Sequence, residues 1–246
     1  KKLYPIHFWD EINSQSPKFR NKFSRYRHYS KATMDEVLTP EDLKDALTLE
    51  ANWMASSYIE NLGNNKFSMK ALPSVSQTAP INGMVTSDIN DDGNLDILMV
   101  GNDYGNEVFA GRYDAFTGLI LLGAGNGSFQ IVSSAKSGFY VPGDAKSLVS
   151  LYGPRGDELF IATQNKDSAD VFLKKANPSF QMFEPKPMEF HADVTYSDGR
   201  KQRIEFYYGA GYLSQSSRKI RIPKGVKEIV VYDYAGNSRK LTPDVL

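Results

Sequence analysis

Nine residues, Asp88 to Asp96, read DINDDGNLD and carry six Asp and Asn side chains. Asp88, Asn90 and Asp92 alternate at i, i+2 and i+4, Gly93 lets the chain turn sharply, and Asp96 returns a further carboxylate. That spacing converges hard oxygen ligands on one point. Calcium takes about six to eight oxygens in a flexible geometry, which three carboxylates, an amide oxygen, a main-chain carbonyl near Asn94 and water would supply. Magnesium demands a tighter octahedron and fits less well. The alternative is an Asp/Asn-rich turn that binds nothing, but Asp88, Asp91, Asp92 and Asp96 within nine residues repel one another without a cation. An EF-hand would need a Glu at its twelfth position, which here is Met99, and helices where this chain has GMVTS and ILMVG.

Other chemistry has less support. The chain has 3 His, His7, His28 and His191, none in a zinc-binding spacing or beside a nucleophile motif. GAGNG at 123–127 lacks the Lys-Ser/Thr ending of a phosphate-binding loop and reads as a strand-connecting turn. Asp103, Glu107, Asp114, Asp144 and Asp157 lie on loops, and a glycosidase pair would need two of them about 5 to 10 Å apart. Two further segments offer places for a glycan or protein partner, or simply packed loops: Arg112, Tyr113, Asp114 and Phe116, and the run Tyr212 to Ser217. The catalytic assignment is therefore none, and no cofactor besides calcium is expected.

The elements that must position the loop are short strands. The chain is 246 residues long, 41% hydrophobic, with 14 Tyr, 14 Phe and turn-forming Gly, Asn, Asp and Ser in clusters, which favours a mainly β fold with real cores. Lys plus Arg and Asp plus Glu balance at 29 each, so no basic field draws a nucleic acid and none is expected as partner. With 0 Cys there is neither a disulfide framework nor a thiolate metal site. No apolar run approaches the roughly 20 residues of a membrane span, no signal peptide is present, and the start at Lys1 without Met suggests a mature product or a fragment.

Three regions follow. Residues 1–47 are rich in charge with apolar residues at helical spacing, and predict two or three short helices. One is an amphipathic helix through Phe19, Phe23, Tyr26 and Tyr29, with a solvated basic face; another begins at Thr39 as N-cap with Pro40 next. Residues 48–186 contain an internal repeat: NLGNNKF ending at Phe67 recurs as GAGNGSF ending at Phe129, and DILMV from Asp96 recurs as ELFIA from Glu158, each 62 residues on. A third turn, KKANPSF ending at Phe180, follows after 51, the missing 11 matching the extra segment at GRYDAFTG. A glycine-asparagine turn closed by Phe and flanked by apolar strands is the pattern of a four-stranded propeller blade. At the same offset Ser150, Tyr152 and Pro154 replace Asp88, Asn90 and Asp92, so the second unit keeps the strand and loses the site. Residues 187–246 alternate as EFHADVTY, RIEFYY, RKIRI and EIVVYDY, with turns at Ser197-Asp198-Gly199 and Ala235-Gly236-Asn237, a small β-domain.

The loop, followed by DILMVGND and bounded by NLGNNKF and GAGNGSF, resembles the FG-GAP or VCBS repeats of integrin-like β-propellers. SSYIENLGNNKF, GRYDAFTGLILLG and SGFYVPGDAKSLV resemble the C-terminal part of large Bacteroidetes-type VCBS-repeat proteins, and YYGAGYLSQSSRKIRIPKGVKEIVVYD resembles their ASPIC/UnbV terminal domain. The resemblance implies a partial propeller, with the remaining blades upstream or in another chain, and calcium ligands at Asp88, Asn90, Asp92, Asn94 and Asp96. It implies an exported protein, extracellular or at the cell surface, with the outer membrane or periplasm as further addresses. The expected function is a calcium-stabilised binding or scaffolding module for a protein or polysaccharide, not an enzyme. The other reading is an accessory or catalytic part of a polysaccharide-degrading assembly.

Overall fold

A computed structural model describes residues 2–108, 110–175, 177, 180–223 and 225–241. Parts of the third predicted turn, at 176, 178 and 179, and the chain start at Lys1 lie outside the described residues. The chain divides into two compact units, Lys1–Met54 and Ala55–Leu246.

The first unit holds four short helices: α1 (Trp9–Gln15), α2 (Pro17–Lys22), α3 (Tyr26–Tyr29) and α4 (Met34–Val37). The basic stretch does not form one continuous amphipathic helix. It breaks after Lys22, and Phe23 and Tyr29 meet edge to face at 5.6 Å in a small core with Ala32 and Val37. Thr39 forms the expected cap contacts, its N–H and hydroxyl both donating to Asp42 Oδ2 at 3.0 and 2.7 Å, yet no helix propagates. Lys18 and Lys22 both reach Asp42, and the backbone turns to a positive φ of 61° at Asp45. One hydrogen-bonded turn does not overcome the cost of helix nucleation in so short a segment.

The second unit is built of antiparallel sheets. A two-residue turn at Asn64 and Asn65, both at positive φ, joins β1 (Ser57–Gly63) to β2 (Lys66–Ala71). Next, β3 (Ile81–Ser87), β4 (Asp96–Gly101), β5 (Leu119–Gly123) and β6 (Phe129–Val132) form a four-stranded meander in that order. Its second strand, DILMVG, is buried on both faces, which is why it reads as a nearly unbroken apolar run. β3 alternates instead, burying Gly83, Val85 and Ser87. A second meander joins β7 (Ala145–Tyr152), β8 (Glu158–Gln164) and β9 (Asp170–Lys174).

The two meanders share one apolar core, in which Val85, Leu98 and Val100 of the first are clustered with Leu148, Phe160 and Ala162 of the second. Their first strands run very close: a Cβ added at Gly83 would lie 2.6 Å from the Leu148 nitrogen, so only glycine allows this approach.

The fourth strand of the second unit of repeat, β10 (Phe180–Phe183), does not continue that meander. It pairs with β13 (Ile220–Pro223), Gln181 opposite Ile222. The remaining strands, β11 (Glu189–Tyr196), β12 (Lys201–Glu205), β14 (Val226–Asp233) and β15 (Ser238–Leu241), make a sheet in the order β12-β11-β14-β15. Its own core includes Phe183, Ala192, Phe206, Ile222 and Ile229. Both predicted hairpin turns are present, with Gly199 and Gly236 at φ of 88° and 85°. The fold is therefore mainly β with an N-terminal helical unit, and among the described residues no sheet closes into a barrel or completes a ring.

Candidate functional site

The β3–β4 connection is the nine-residue loop. Ser87 pairs with Asp96 at the base, so the loop starts and ends at one point of the sheet. Both Asp91, at a φ of 62°, and Gly93, at 87°, adopt the left-handed conformation that folds the loop back on itself. Its own amides then bind its acids: Asp92 N–H donates to Asp88 Oδ1 (3.0 Å) and Asn90 Oδ1 (3.2 Å), Gly93 N–H to Asp88 Oδ2 (2.9 Å), and Asn94 N–H to Asp92 Oδ1 (2.8 Å). Asp96 is fully buried and accepts the Ile89 N–H (2.7 Å) and the Gly123 N–H of β5 (2.8 Å).

Asp88 and Asp92 lie close enough to Asp96 for their charges to act on its carboxyl. Burial pushes the Asp96 carboxyl above its ordinary value, the two backbone N–H donors oppose this, and the charges of Asp92 and Asp88 push it further up. Hydrogen bonds from the Asn94 backbone and the Asn90 amide hold Asp92 below its ordinary value. Asn90 Nδ2 donates to Asp92 Oδ2 at 2.9 Å, and the Asn94 side chain also bonds Asp92, while the Asn94 amide oxygen lies against Gly125. Toward the Asp92 carboxylate Asn90 thus turns its nitrogen, while its oxygen accepts the Asp92 N–H. Among the described residues no group of three or more His, Cys, Asp or Glu side chains is gathered so as to hold a metal ion. The donor set nevertheless suits a hard cation in type, with three carboxylates, two amides and no nitrogen or sulfur ligand. A half-turn of either amide exchanges its nitrogen for oxygen.

Asp91 stands apart. Its carboxylate faces out of the loop to Lys174 Nζ (2.7 Å), Asn177 Nδ2 (2.9 Å) and Arg221 (3.1 Å), and Lys174 also donates to the Asp88 carbonyl. Burial raises the Asp91 carboxyl, and Lys174, Asn177 and Arg221 together bring it below the ordinary value. Arg221 packs over the Phe180 ring at 4.1 Å and lies 3.9 Å from Glu158. Glu158 is itself 1% exposed and accepts hydroxyls from Ser87 (2.8 Å) and Ser150 (2.6 Å). Burial, then the Glu158 charge and hydrogen bond, push the Tyr152 phenol far above its usual value. Sequence reasoning missed this network; the one available signal was an acid at the head of a buried strand, ELFIA, in the position that Asp96 holds 62 residues earlier.

Of the loop carboxylates considered for glycosidase chemistry, three lie near cations, Asp157 at 3.7 Å from Arg155. Asp103 and Asp144 both approach Lys146, at 3.7 and 2.6 Å. Burial raises the Asp144 carboxyl, and Lys146 and the Asn165 amide outweigh it, so this acid is held ionised. In the Arg112 segment, Arg112 lies over the Tyr104 ring at 4.8 Å and Phe116 is buried. The buried amide of Asn102 accepts the Phe116 N–H (2.9 Å) and donates to the Phe116 carbonyl (2.7 Å). GAGNG forms the β5–β6 turn, with the Ala124 N–H donating to the Ser128 carbonyl at 3.0 Å. His191 is buried and stacks on Tyr232 at 4.6 Å. No helix among the described residues is long and apolar enough to cross a membrane.

Compared with protein-family models and with curated proteins, the sequence matches none.

Proposed function

We propose that this chain is a calcium-stabilised binding or scaffolding module, exported to the cell surface or beyond. In this reading it is of the FG-GAP/VCBS type, with β3–β6 and β7–β9 as adjoining blades of a propeller whose other blades lie elsewhere. The observation that carries the reading is the β3–β4 loop. It is folded so that the charges of Asp88 and Asp92 bear on the buried Asp96 carboxyl, while Asp91 is turned away and neutralised by Lys174 and Arg221. A loop that neutralises only its outward acid leaves an inward negative charge for a cation to answer. The close approach of β3 to β7 at Gly83 and their shared core agree with blades packed side by side.

In this arrangement Asp88, Asn90, Asp92 and Asp96, with Asn94 through its main chain, would hold the ion. Calcium would supply countercharge and cross-link the ends of β3 and β4, which stiffens the sheet without offering a reactive centre. A ligand that binds only the folded state stabilises it by about 2.7 kcal/mol at a hundredfold excess over its Kd. Calcium titration by calorimetry, with thermal melting of the parent and of Asp92→Ala, tests this. One equivalent bound and a raised melting temperature in the parent only are expected. Absence of both in the parent overturns the proposal.

A further inference from the structure

A cavity of about 530 Å³ opens beside the β3–β4 loop, between the β3–β4 and β7–β8 ends and the terminal sheet, and shares Asp88 and Asn94 with that loop. Its volume falls within the roughly 300 to 1,000 Å³ of ordinary small-ligand sites. The chemistry of its wall narrows the ligand class.

Four lining side chains are cationic, and each already has acceptors. Arg203 pairs with Asp193 (2.9 Å), Lys219 with Glu184 (3.0 Å) and Arg221 with Asp91 (3.1 Å). Arg218 donates to the Tyr208 hydroxyl (2.6 Å) and to the Phe206 and Glu189 carbonyls. Of the lining acids, Asp88 is bound by its own loop amides, Glu158 by two serine hydroxyls, and Glu205 is exposed with its charge near Arg203. An anionic ligand would have to compete with the acceptors that these four cations already hold. A neutral ligand would not, and could use the lone pairs and hydrogens left over.

The remaining wall alternates rings with neutral polar groups. Tyr152, Phe180, Tyr196 and Tyr207 line it together with Gln202, Gln215 and Ser216. Rings present flat apolar faces, and amides and hydroxyls offer both donors and acceptors. A pyranose has the matching duality, with C–H faces and a rim of hydroxyls that both give and take hydrogen bonds.

The wall is also preformed. The Tyr212–Ser217 segment is fastened to the second meander, the Ser217 N–H donating to the Ser150 carbonyl (2.7 Å) and the Ser150 N–H to Ser216 Oγ (3.1 Å). Gln215 ties the same segment back to Gly209 and to the Tyr207 carbonyl (3.0 Å). A wall held in this way loses little freedom on binding.

We infer that this cavity binds a short neutral oligosaccharide, with Tyr207 at its mouth as a stacking platform and Gln202 and Ser216 as hydrogen-bonding groups. The inference rests on the reading of the chain as a binding module, and not on calcium.

The test is titration calorimetry of the full chain with β-1,4-linked glucose, β-1,4-linked xylose and α-1,6-linked mannose trisaccharides, and with trigalacturonate as the anionic probe. Parent, Ser216→Trp and Tyr207→Ala are compared, each checked by thermal melting. At least one neutral trisaccharide should bind the parent at one equivalent. Filling the cavity with Ser216→Trp should weaken it by about tenfold or more, and Tyr207→Ala by several-fold. Tyr207 is 61% exposed, so its truncation reads binding even where the larger substitution disturbs folding. No heat from any neutral probe at millimolar concentration, binding of trigalacturonate alone, or neutral binding untouched by Tyr207→Ala overturns the inference. Calcium stabilisation without sugar binding sinks this cavity alone; sugar binding without a calcium response sinks the calcium loop alone.

Discussion

The β3–β4 and β7–β8 connections occupy equivalent places in two packed meanders, and each following strand opens with a buried acid, Asp96 in one and Glu158 in the other. The two acids are satisfied in opposite ways. Asp96 takes backbone N–H groups from Ile89 and Gly123, and the loop before it brings further carboxylates close. Glu158, one methylene longer, reaches across to Ser87 of the first meander as well as Ser150 of its own, with Arg221 nearby. Its connection is a short turn in which the Gly153 N–H donates to the Asp157 carbonyl at 2.8 Å. One position in a repeated sheet thus serves a charged, loop-facing role in the first copy and a sheet-joining role in the second. On the proposed reading of the two meanders as repeats, a cation in the first is replaced by hydroxyls and an arginine in the second.

The largest effect expected from breaking this contrast is at Glu158. Glu158→Ala leaves two buried hydroxyls and part of the Arg221 charge without their acceptor. Urea unfolding should show a loss of about 3 kcal/mol, the same with and without calcium. Asp96→Asn should behave differently. Without calcium it relieves repulsion from Asp88 and Asp92 while weakening one backbone contact, so the net change stays small. With calcium it should remove most of a stabilisation of about 2 kcal/mol. A calcium-dependent loss at Glu158, or a calcium-independent one of equal size at Asp96, would erase the distinction between the two copies.

Acidity sharpens the same contrast. The Asp96 carboxyl is raised in the fold, so the calcium-free native state takes up its proton more readily than the unfolded chain, and calcium must displace it. Calcium affinity should therefore start to fall above pH of about 4, the ordinary aspartate range, as pH is lowered. On the Glu158 side the titrating group is Tyr152, whose phenol is raised. Its contribution is complete below the unfolded value of about 10 and is lost as pH rises beyond it, by about 1 kcal/mol per unit of pH. Tyr152→Phe should abolish that alkaline loss, read as melting temperature against pH.

How far sequence reading reached also divides between local and distant features. The loop, the Asn64-Asn65 turn, GAGNG and both terminal hairpins are legible because Gly, Asn and Asp at fixed offsets state their own backbone conformation. The 62-residue offset places the starts of β4 and β8 together because buried apolar strands mark themselves by composition. Strand partnership is not local. Period-two alternation in RKIRI marks a strand, but burial of Phe183 and Ile222 in the terminal core is what pairs β10 with β13 and ends the second meander at three strands. The Asp91 to Arg221 contact spans 130 residues, and no spacing rule reaches that far. Nor does a single cap residue declare its outcome: Thr39 caps a turn that never becomes a helix.

Asp91 ties the two connections together, and the smallest of these effects belongs to it. Through Arg221 it links the outward side of the loop to the strand that lies beside Glu158. Asp91→Asn keeps one oxygen for Lys174 and removes the charge that both cations share, and partly exposed pairs of this kind contribute about 0.5 to 1 kcal/mol. Its carboxyl is lowered in the fold, so this contribution is present above the unfolded value and lost as pH falls through the folded one. The variant should then fall short of the parent at neutral pH, with the gap closing as pH drops below the ordinary aspartate value of about 4. If Asp91 only holds the loop to the neighbouring strands, calcium binding should weaken slightly in the variant. If the outward acid were instead an ion ligand, calcium binding would collapse as it does in Asp92→Ala, and the inward and outward faces of the loop would have been assigned the wrong way round.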